Sequence, residues 1–186
     1  MQKLFATETS NFCQSLLLRD FSEWTKISGH LNRDSLLKGW EPLEFFFQAS
    51  DKGADTKPDI CPVYISGAIA FRGDLKQKIF PSPCCEVEFL PIRVSGEEWM
   101  LLNCLKTTRQ YDSQKSQLHR IGNGDIFIIQ KLVVNDPSLQ RCEVFTLEDS
   151  NRAQLIALPS FHHRIIKELN LQGLNFKEIG YNTAGK

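Results

Sequence analysis

The sequence predicts an α/β protein of the α+β type, in which a mainly antiparallel central sheet is flanked by helices. Two observations lead to this prediction. Several apolar runs in the second half are bounded by Gly, Pro, Asn, Asp or Ser, which is typical of strands joined by short turns. In the runs 99–105 and 126–134 both alternating faces are largely apolar, so we expect central strands with helices covering at least one side.

The first half of the chain carries weaker signals. Apolar residues between Leu16 and Trp24 recur at spacings of three to four, and this predicts a weak amphipathic helix. The aromatic segment 39–48 predicts a strand. Segment 49–62 is rich in Asp, Lys, Gly and Pro, so it predicts a surface loop.

A short helix is predicted after the apolar stretch 63–71. Leu75 and Ile79 lie four residues apart on one helical face, which indicates a helix over 74–80. Pro81 ends it, because proline cannot continue a helix.

The second half contains the clearest strand signals. The predicted strands there are 87–94, 99–105, 126–134, 142–147 and a final short strand over 175–179. Tight connections at Ser95–Glu97 and Gly122–Gly124 favour antiparallel pairing. Apolar residues from Phe161 to Leu169 fall at helical spacing and predict a terminal amphipathic helix.

Length and composition narrow the class of protein. With 186 residues, the chain is the usual size of one domain, so we predict a single domain over residues 1–186. Lys plus Arg equals Asp plus Glu, 22 against 22, which disfavours general binding to nucleic acid. The longest apolar runs are far shorter than the ~20 residues that span a bilayer, and residues 1–8 do not resemble a secretory signal. We therefore expect a cytoplasmic protein without a membrane segment.

Motifs for catalysis and metal binding are not found in the sequence. There is no phosphate-binding glycine loop, dinucleotide fingerprint or nucleophile elbow. Cys84 and Cys85 are adjacent, whereas zinc ligands are usually spaced by two to four residues. We predict no catalytic residue, no metal and no cofactor. An enzyme of unrecognised type, using residues such as Cys84, His119 or His163, remains the alternative, and it predicts a deep pocket lined by those side chains.

Local charge suggests two surfaces. The hairpin over 86–98 is acidic, and the connection from Lys106 to Arg120 is basic. The basic connection supports a second alternative, a nucleic-acid or regulatory binding adaptor.

Three stretches, taken together, resemble a known family. They are Trp-Glu-Pro-Leu at 40–43, Val-Glu-Phe-Leu-Pro-Ile at 87–92 with Glu-Trp-Met-Leu-Leu-Asn at 98–103, and Val-Phe at 144–145 with Leu-Gln-Gly-Leu-Asn-Phe at 171–176. In order and spacing they are similar to a large α/β immunity-protein family of bacterial polymorphic toxin systems. The similarity covers about residues 36–179 and leaves residues 1–35 as a less certain N-terminal extension. The family commonly has an aromatic pair where this chain has Trp99 and Met100.

The resemblance implies an immunity protein that binds and neutralises a cognate toxin. Such a toxin is encoded by a neighbouring gene, is frequently a nuclease, and would be inhibited by occlusion of its active site. An interface of about 800 Å² on each partner suffices for this without a reactive group. The predicted toxin-binding residues are the carboxylates of the acidic hairpin and two positions that match the family, namely Glu86, Glu88, Glu97, Glu98, Asp112 and Ser116. For Asp112 and Ser116, a role in shaping a turn is the favoured alternative.

Overall fold

The protein is mostly β, with 47% strand and 16% helix. The computed structural model describes residues 1–10, 12–23, 30–31, 34–49, 55–63, 68–82, 86–122, 124–150 and 154–184. The strands form two curled sheets that each mix parallel and antiparallel pairs. The predicted α+β fold, with an antiparallel central sheet flanked by helices, is therefore wrong.

Within these ranges the strands are numbered in chain order. They are β1 (Gln2–Thr9), β2 (Ser15–Leu18), β3 (Glu44–Gln48), β4 (Ile60–Pro62), β5 (Ile69–Arg72), β6 (Val87–Val94), β7 (Glu97–Cys104), β8 (Thr107–Thr108), β9 (Gln117–Arg120), β10 (Ile126–Val134), β11 (Val144–Leu147), β12 (Ile156–Ala157) and β13 (Leu174–Asn182). The helical segments are short. They are the 3-10 turn Gly73–Leu75 with α1 (Lys76–Ile79), the 3-10 turn Pro137–Arg141, and α2 (Pro159–His163) with the π-helical turn Arg164–Glu168.

One sheet has seven strands in the order β8-β11-β12-β1-β13-β10-β9. Its longest pairing is antiparallel, between β1 and β13, and runs from Gln2 opposite Asn182 to Thr9 opposite Leu174. The predicted N-terminal extension thus contains an interior strand of this sheet. β10 runs parallel to β13, but the two pair only where β10 ends, at Leu132–Val134.

Gly180 allows β10 and β13 to come together. It has a φ of +156°, and a Cβ placed on it would lie 1.8 Å from the carbonyl oxygen of Leu132. Only a residue without a side chain fits such a close approach between backbones. Gly180 therefore sets the point at which β10 joins the sheet.

The other sheet has six strands in the order β2-β3-β6-β7-β5-β4. The predicted β6–β7 hairpin is confirmed, and the two strands pair over their full length. Ser95 and Gly96 form its turn with φ values of 51° and 86°, the positive values that a two-residue hairpin turn of type I′ requires.

The second sheet is buried on both faces. Leu101 of β7 packs with Leu31 and Leu43 on one side, whereas Leu102 packs on the other side with Leu174 of the first sheet. The burial predicted for both faces of 99–105 is therefore confirmed. The cover, however, comes largely from Leu31, from residues 34–43 and from the other sheet, with the short helices adding to one face. This is the physical reason why the prediction of flanking helices failed.

The helices predicted over 74–80 and from Phe161 to Leu169 are confirmed. Leu75 and Ile79 of the first are buried, as are Phe161 and Ile165 of the second, and all four belong to the same apolar cluster. The strands predicted in the second half are also confirmed, with some ends shifted. None of the helices in the described ranges is both long enough and apolar enough to cross a bilayer.

Predictions for the first half were less accurate. The helix predicted around Leu16–Trp24 is wrong over Leu16–Leu18, because Leu16 and Leu18 are the buried alternate residues of strand β2, whereas residues 21–23 are helical. The strand predicted over 39–48 is confirmed only from Glu44 onward. The predicted loop 49–62 ends in strand β4, and its residues 50–54 lie outside the described ranges.

Candidate functional site

An open groove of about 450 Å³ lies where β10 separates from β13. Its lining residues come from several strands and the segments beside them. They are Ala6, Thr7, Glu8, Thr9, Pro62, Val63, Phe127, Ile128, Ile129, Gln154, Lys177 and Ile179. The first half of β10 forms one wall of the groove, while β1 and β13 form its floor.

Two irregularities in β10 expose the apolar wall of the groove. The pairing of β10 with β9 shifts between Ile126 and Ile128 and again between Ile129 and Lys131. An extra residue at such a bulge interrupts the alternation of side chains between the two faces. Phe127 and Ile128 are consequently both exposed, at 63% and 47%, although each would be apolar core in a regular central strand.

Ile121 is a third exposed apolar side chain of the β9–β10 hairpin. It is 48% exposed and lies in the connection between β9 and β10. We call the side chains of Ile121, Phe127 and Ile128 the apolar rim. Large exposed apolar side chains close together on a surface are typical of protein interaction sites.

A polar cluster fixes the β9–β10 hairpin to the segment after β11. The Tyr111 hydroxyl donates a hydrogen bond to Asp149 at 2.6 Å, and the Arg120 guanidinium contacts the same carboxylate at 2.9 Å. Arg120 also donates to the Tyr111 oxygen. The backbone N–H of Ile126 donates to the Asp149 carbonyl at 2.8 Å. These bonds hold the start of β10 in place, so the apolar rim has a fixed position.

The ionisation of this cluster favours its charged form. Burial raises the pKa of Asp149, but the hydrogen bonds from Tyr111 and Arg120 outweigh it and hold the pKa below its ordinary value. Burial and the bond to Asp149 raise the pKa of Tyr111. At neutral pH, Asp149 is therefore a carboxylate and Tyr111 a neutral phenol that donates to it.

Two opposite charges lie on the floor of the groove. Glu8 of β1 and Lys177 of β13 are both exposed. Ala6 is opposite Lys177 and Glu8 is opposite Asn175, so Glu8 and Lys177 lie on the same face of the sheet, offset by one diagonal step. Among the described residues neither has an ion-pair partner within 4.0 Å, and both charges can bind groups from another molecule.

Glu88, a predicted toxin-binding residue, is instead buried, at 8% exposure. It accepts hydrogen bonds from the Ser35 hydroxyl, from the Leu36 N–H at 2.9 Å and from the Asn103 side-chain amide at 3.0 Å. Burial raises the pKa of Glu88, but these bonds outweigh it and keep the pKa below its ordinary value. Glu88 thus attaches the 34–37 segment to the second sheet.

Glu86 is held by neighbours in the fold. Its carboxylate accepts a hydrogen bond from the Cys142 thiol at 2.9 Å and pairs with Lys106 at 3.3 Å. It is therefore already engaged on two sides, at the end of the hairpin away from the turn.

Glu97 and Glu98 lie at the turn end of the same hairpin, far from Glu86 and Glu88. Both are exposed, and Glu97 pairs with Lys57 at 3.1 Å. Together with Arg72, they line a second cavity of about 480 Å³. The predicted acidic surface is thus divided between the two ends of β6 and β7.

Asp112 and Ser116 lie in the connection before β9 and shape a turn. Asp112 accepts hydrogen bonds from the N–H groups of Gln114 and Lys115 at 3.0 and 3.1 Å. The hydroxyl of Ser116 accepts from the N–H of Val133 at 3.0 Å. These contacts agree with the turn interpretation, and they place the two residues on the β9 side of the groove-forming hairpin.

The cations of the basic connection are paired within the fold. Each contacts a carboxylate at 2.9 to 3.3 Å, in the pairs Lys106–Glu86, Arg109–Glu148, Lys115–Asp112 and Arg120–Asp149. The connection thus carries these cations as ion pairs and not as a cluster of unpaired positive charge.

The residues suggested for an unrecognised enzyme are not brought together at the groove. His119 is exposed on β9, and His163 is exposed beside Glu168 at 3.6 Å. Neither lines the groove, and Cys84 lies outside the described residues. In the described ranges, no three His, Cys, Asp or Glu side chains are grouped as metal ligands.

Sequence reasoning missed the groove because it interpreted 126–134 as a regular central strand. A signal was present. Gln130 and Lys131 are adjacent polar residues within an apolar run, and such a break in alternation indicates a bulge.

Comparison of the sequence with models of known families and with curated proteins found no match. The resemblance to the immunity-protein family therefore stays a prediction.

Proposed function

We propose that this protein is an immunity protein, which binds a cognate toxin encoded by a neighbouring gene and neutralises it by covering its active site. The observation that supports binding best is the apolar rim, which flanks the open groove. The family resemblance supplies the class of partner, and the rim supplies a surface that such a partner could bind.

The chemistry of the rim suits the centre of a protein interface. Aromatic and large aliphatic side chains dominate binding energy when a partner removes them from water, and a polar surround excludes solvent. Phe127 contributes the largest exposed apolar surface of the three rim side chains. Glu8, Lys177 and Gln154 provide polar groups at the groove beside it.

The anchoring of the rim also favours binding. Partners lose free energy when an interface must be ordered on association. Here Tyr111, Arg120 and Asp149 already fix the hairpin that carries Phe127. A preformed surface of this kind lowers that cost.

The test measures protection and affinity together. The candidate toxin from the adjacent gene is co-expressed with the wild-type protein or with the variant Phe127→Asp, and growth is scored. Affinity is measured by calorimetry with a catalytically inactive toxin. We expect Phe127→Asp to weaken binding by at least about 30-fold, since a central aromatic contact contributes roughly 2 kcal/mol or more.

Two control variants make the result specific. Gln130→Glu introduces a negative charge at another exposed position of β10 and should leave protection unchanged. The double variant Glu97→Lys and Glu98→Lys tests the acidic hairpin turn as the alternative surface. Loss of protection only in the double variant would move the interface to that turn. Failure of the wild-type protein to bind the adjacent gene product would refute the proposed function.

A further inference from the structure

We infer that the groove binds an extended segment of a partner protein as an added β-strand along the free edge of β13, between β13 and the first half of β10. The inference rests on the proposed function for the identity of the partner, and it specifies how the partner is recognised.

One edge of β13 is unpaired over most of its length among the described residues. On one side, β13 pairs with β1 along its whole length. On the other side, the described residues pair with it only at Gly180–Asn182, where Leu132–Val134 of β10 lie. Every second residue of an antiparallel strand directs its N–H and C=O away from that neighbour. Asn175–Ile179 therefore present backbone donors and acceptors on the side where β10 turns away.

The groove opens between β13 and the irregular first half of β10. β10 separates from β13 because its two bulges curve it, and its first residue is bonded instead to Asp149. An added strand would lie about 4.8 Å from β13 and, at about 3.3 Å per residue, four or five of its residues would span Asn175–Ile179. Its backbone would form hydrogen bonds with the unpaired edge of β13, and its side chains on the β10 side would contact Phe127 and Ile128.

The charges in the groove define the chemistry of the occupant. Lys177 lies on β13 itself, so a directly adjacent strand would place an acidic side chain against it. Glu8 lies one strand further away, on β1, so only a long basic side chain would reach it. Side chains on one face of a strand recur at every second residue. The inferred segment thus carries a bulky apolar residue for the rim, together with an acidic residue and an Arg or Lys two residues apart.

Peptide selection tests this without knowledge of the toxin. A phage-displayed library of random nine-residue peptides is selected on the full-length protein, and Phe127→Asp is used for counter-selection. Enriched peptides are synthesised, and their affinity is measured by fluorescence anisotropy. We expect peptides with alternating apolar residues that bind wild type at least tenfold more tightly than Phe127→Asp.

Backbone recognition is tested by N-methylation. Each residue of the best peptide is methylated in turn on its backbone nitrogen, which removes one donor. Strand addition requires that affinity fall at every second position, because alternate N–H groups point to β13. A uniform or irregular pattern would overturn strand addition.

Charge recognition is tested by exchange. Lys177→Glu should weaken binding of a peptide with an acidic residue. Replacing that acidic residue by Lys should restore the affinity of the peptide for Lys177→Glu. Lys131→Glu, at an exposed position of β10, is the matched control and should have no effect. If reversal of the peptide charge does not restore affinity to Lys177→Glu, the inferred orientation is wrong.

The outcomes separate this inference from the proposed function. If the toxin binds in a Phe127-dependent way but no peptide shows the alternating pattern, strand addition fails and the immunity function stands. If peptides show the alternating pattern but the protein gives no protection, strand addition stands and the immunity function fails. A dimer in sedimentation velocity that Phe127→Asp dissociates would identify a second copy of this chain as the occupant and would overturn the inference.

Discussion

Removal of the Glu88 carboxylate should destabilise the fold while leaving the groove unchanged. In Glu88→Ala, the Leu36 N–H, the Ser35 hydroxyl and one N–H of the Asn103 side-chain amide lose their bond to the carboxylate, whereas the Asn103 amide keeps its bond to the Asp34 carbonyl at 2.9 Å. Asn103 is fully buried, so water cannot replace the lost bond at no cost. A hydrogen bond to a charged acceptor contributes about 1.5–3 kcal/mol. Because part of the 34–37 segment can reach water, we expect a loss of about 3–5 kcal/mol in the free energy of unfolding.

Glu88→Gln isolates the contribution of the charge. The amide oxygen can still accept hydrogen bonds, so only their charge-assisted character is lost, and we expect a smaller loss of about 1–3 kcal/mol. The folded pKa of Glu88 lies below its ordinary value of 4.5. The stability contributed by the ionised form is therefore fully present above that value and is lost as the pH falls through the folded pKa.

Urea unfolding at several pH values between 3 and 7 measures both effects. The difference in stability between wild type and Glu88→Gln should shrink as the solution is acidified. Glu98→Ala, at an exposed residue of the same hairpin, is the control and should change stability by less than about 0.5 kcal/mol. The reasoning is refuted if Glu88→Ala unfolds like Glu98→Ala, or if the gap to Glu88→Gln does not change with pH.

Two further variants test the framework of the groove. Gly180→Ala should lower the free energy of unfolding by more than about 3 kcal/mol, since the new Cβ would overlap the Leu132 carbonyl and separate β10 from β13. Gly96 has open space around it, so Gly96→Ala should lower it by only about 1 kcal/mol. Thermal unfolding of both variants measures the difference, and equal losses would contradict the prediction. Tyr111→Phe should lower the free energy of unfolding by about 1 kcal/mol. It should also raise the pKa of Asp149, so that on acidification the variant loses the stability contributed by this carboxylate at a higher pH than the wild type does. Carbon NMR titration of the Asp149 carboxyl measures the shift, and an unchanged pKa would show that Arg120 alone sets it.

The strands of the second half were predictable because local sequence determines them. Val87–Val94 and Ile126–Val134 have the predicted bounds, since β-branched and apolar residues there are enclosed by turn residues. What covers these strands was not predictable. The face of β7 that carries Leu102 is apolar and must be covered, but the sequence does not specify whether a helix or another sheet covers it.

Short apolar runs carry the same ambiguity. The run Leu16, Leu17 and Leu18 is too short for its periodicity to distinguish a helix from a strand, and only the pairing with β3 decides between them. The site was harder still to predict. Glu88 and Glu98 have the same residue type, but one is buried by the distant Asn103 and Ser35 while the other stays exposed, and this difference depends on tertiary contacts alone.

The pairing of β1 with β13 also determines when the first sheet can assemble during synthesis. β1 is complete at residue 9, whereas β13 begins only at residue 174. At about 5–20 residues per second, a ribosome takes roughly 10 to 30 s to translate the intervening chain. Throughout that interval Leu4 and Phe5 lack the contacts that β13 provides in the folded protein. Slow codons between the segments that encode β1 and β13 would prolong this interval.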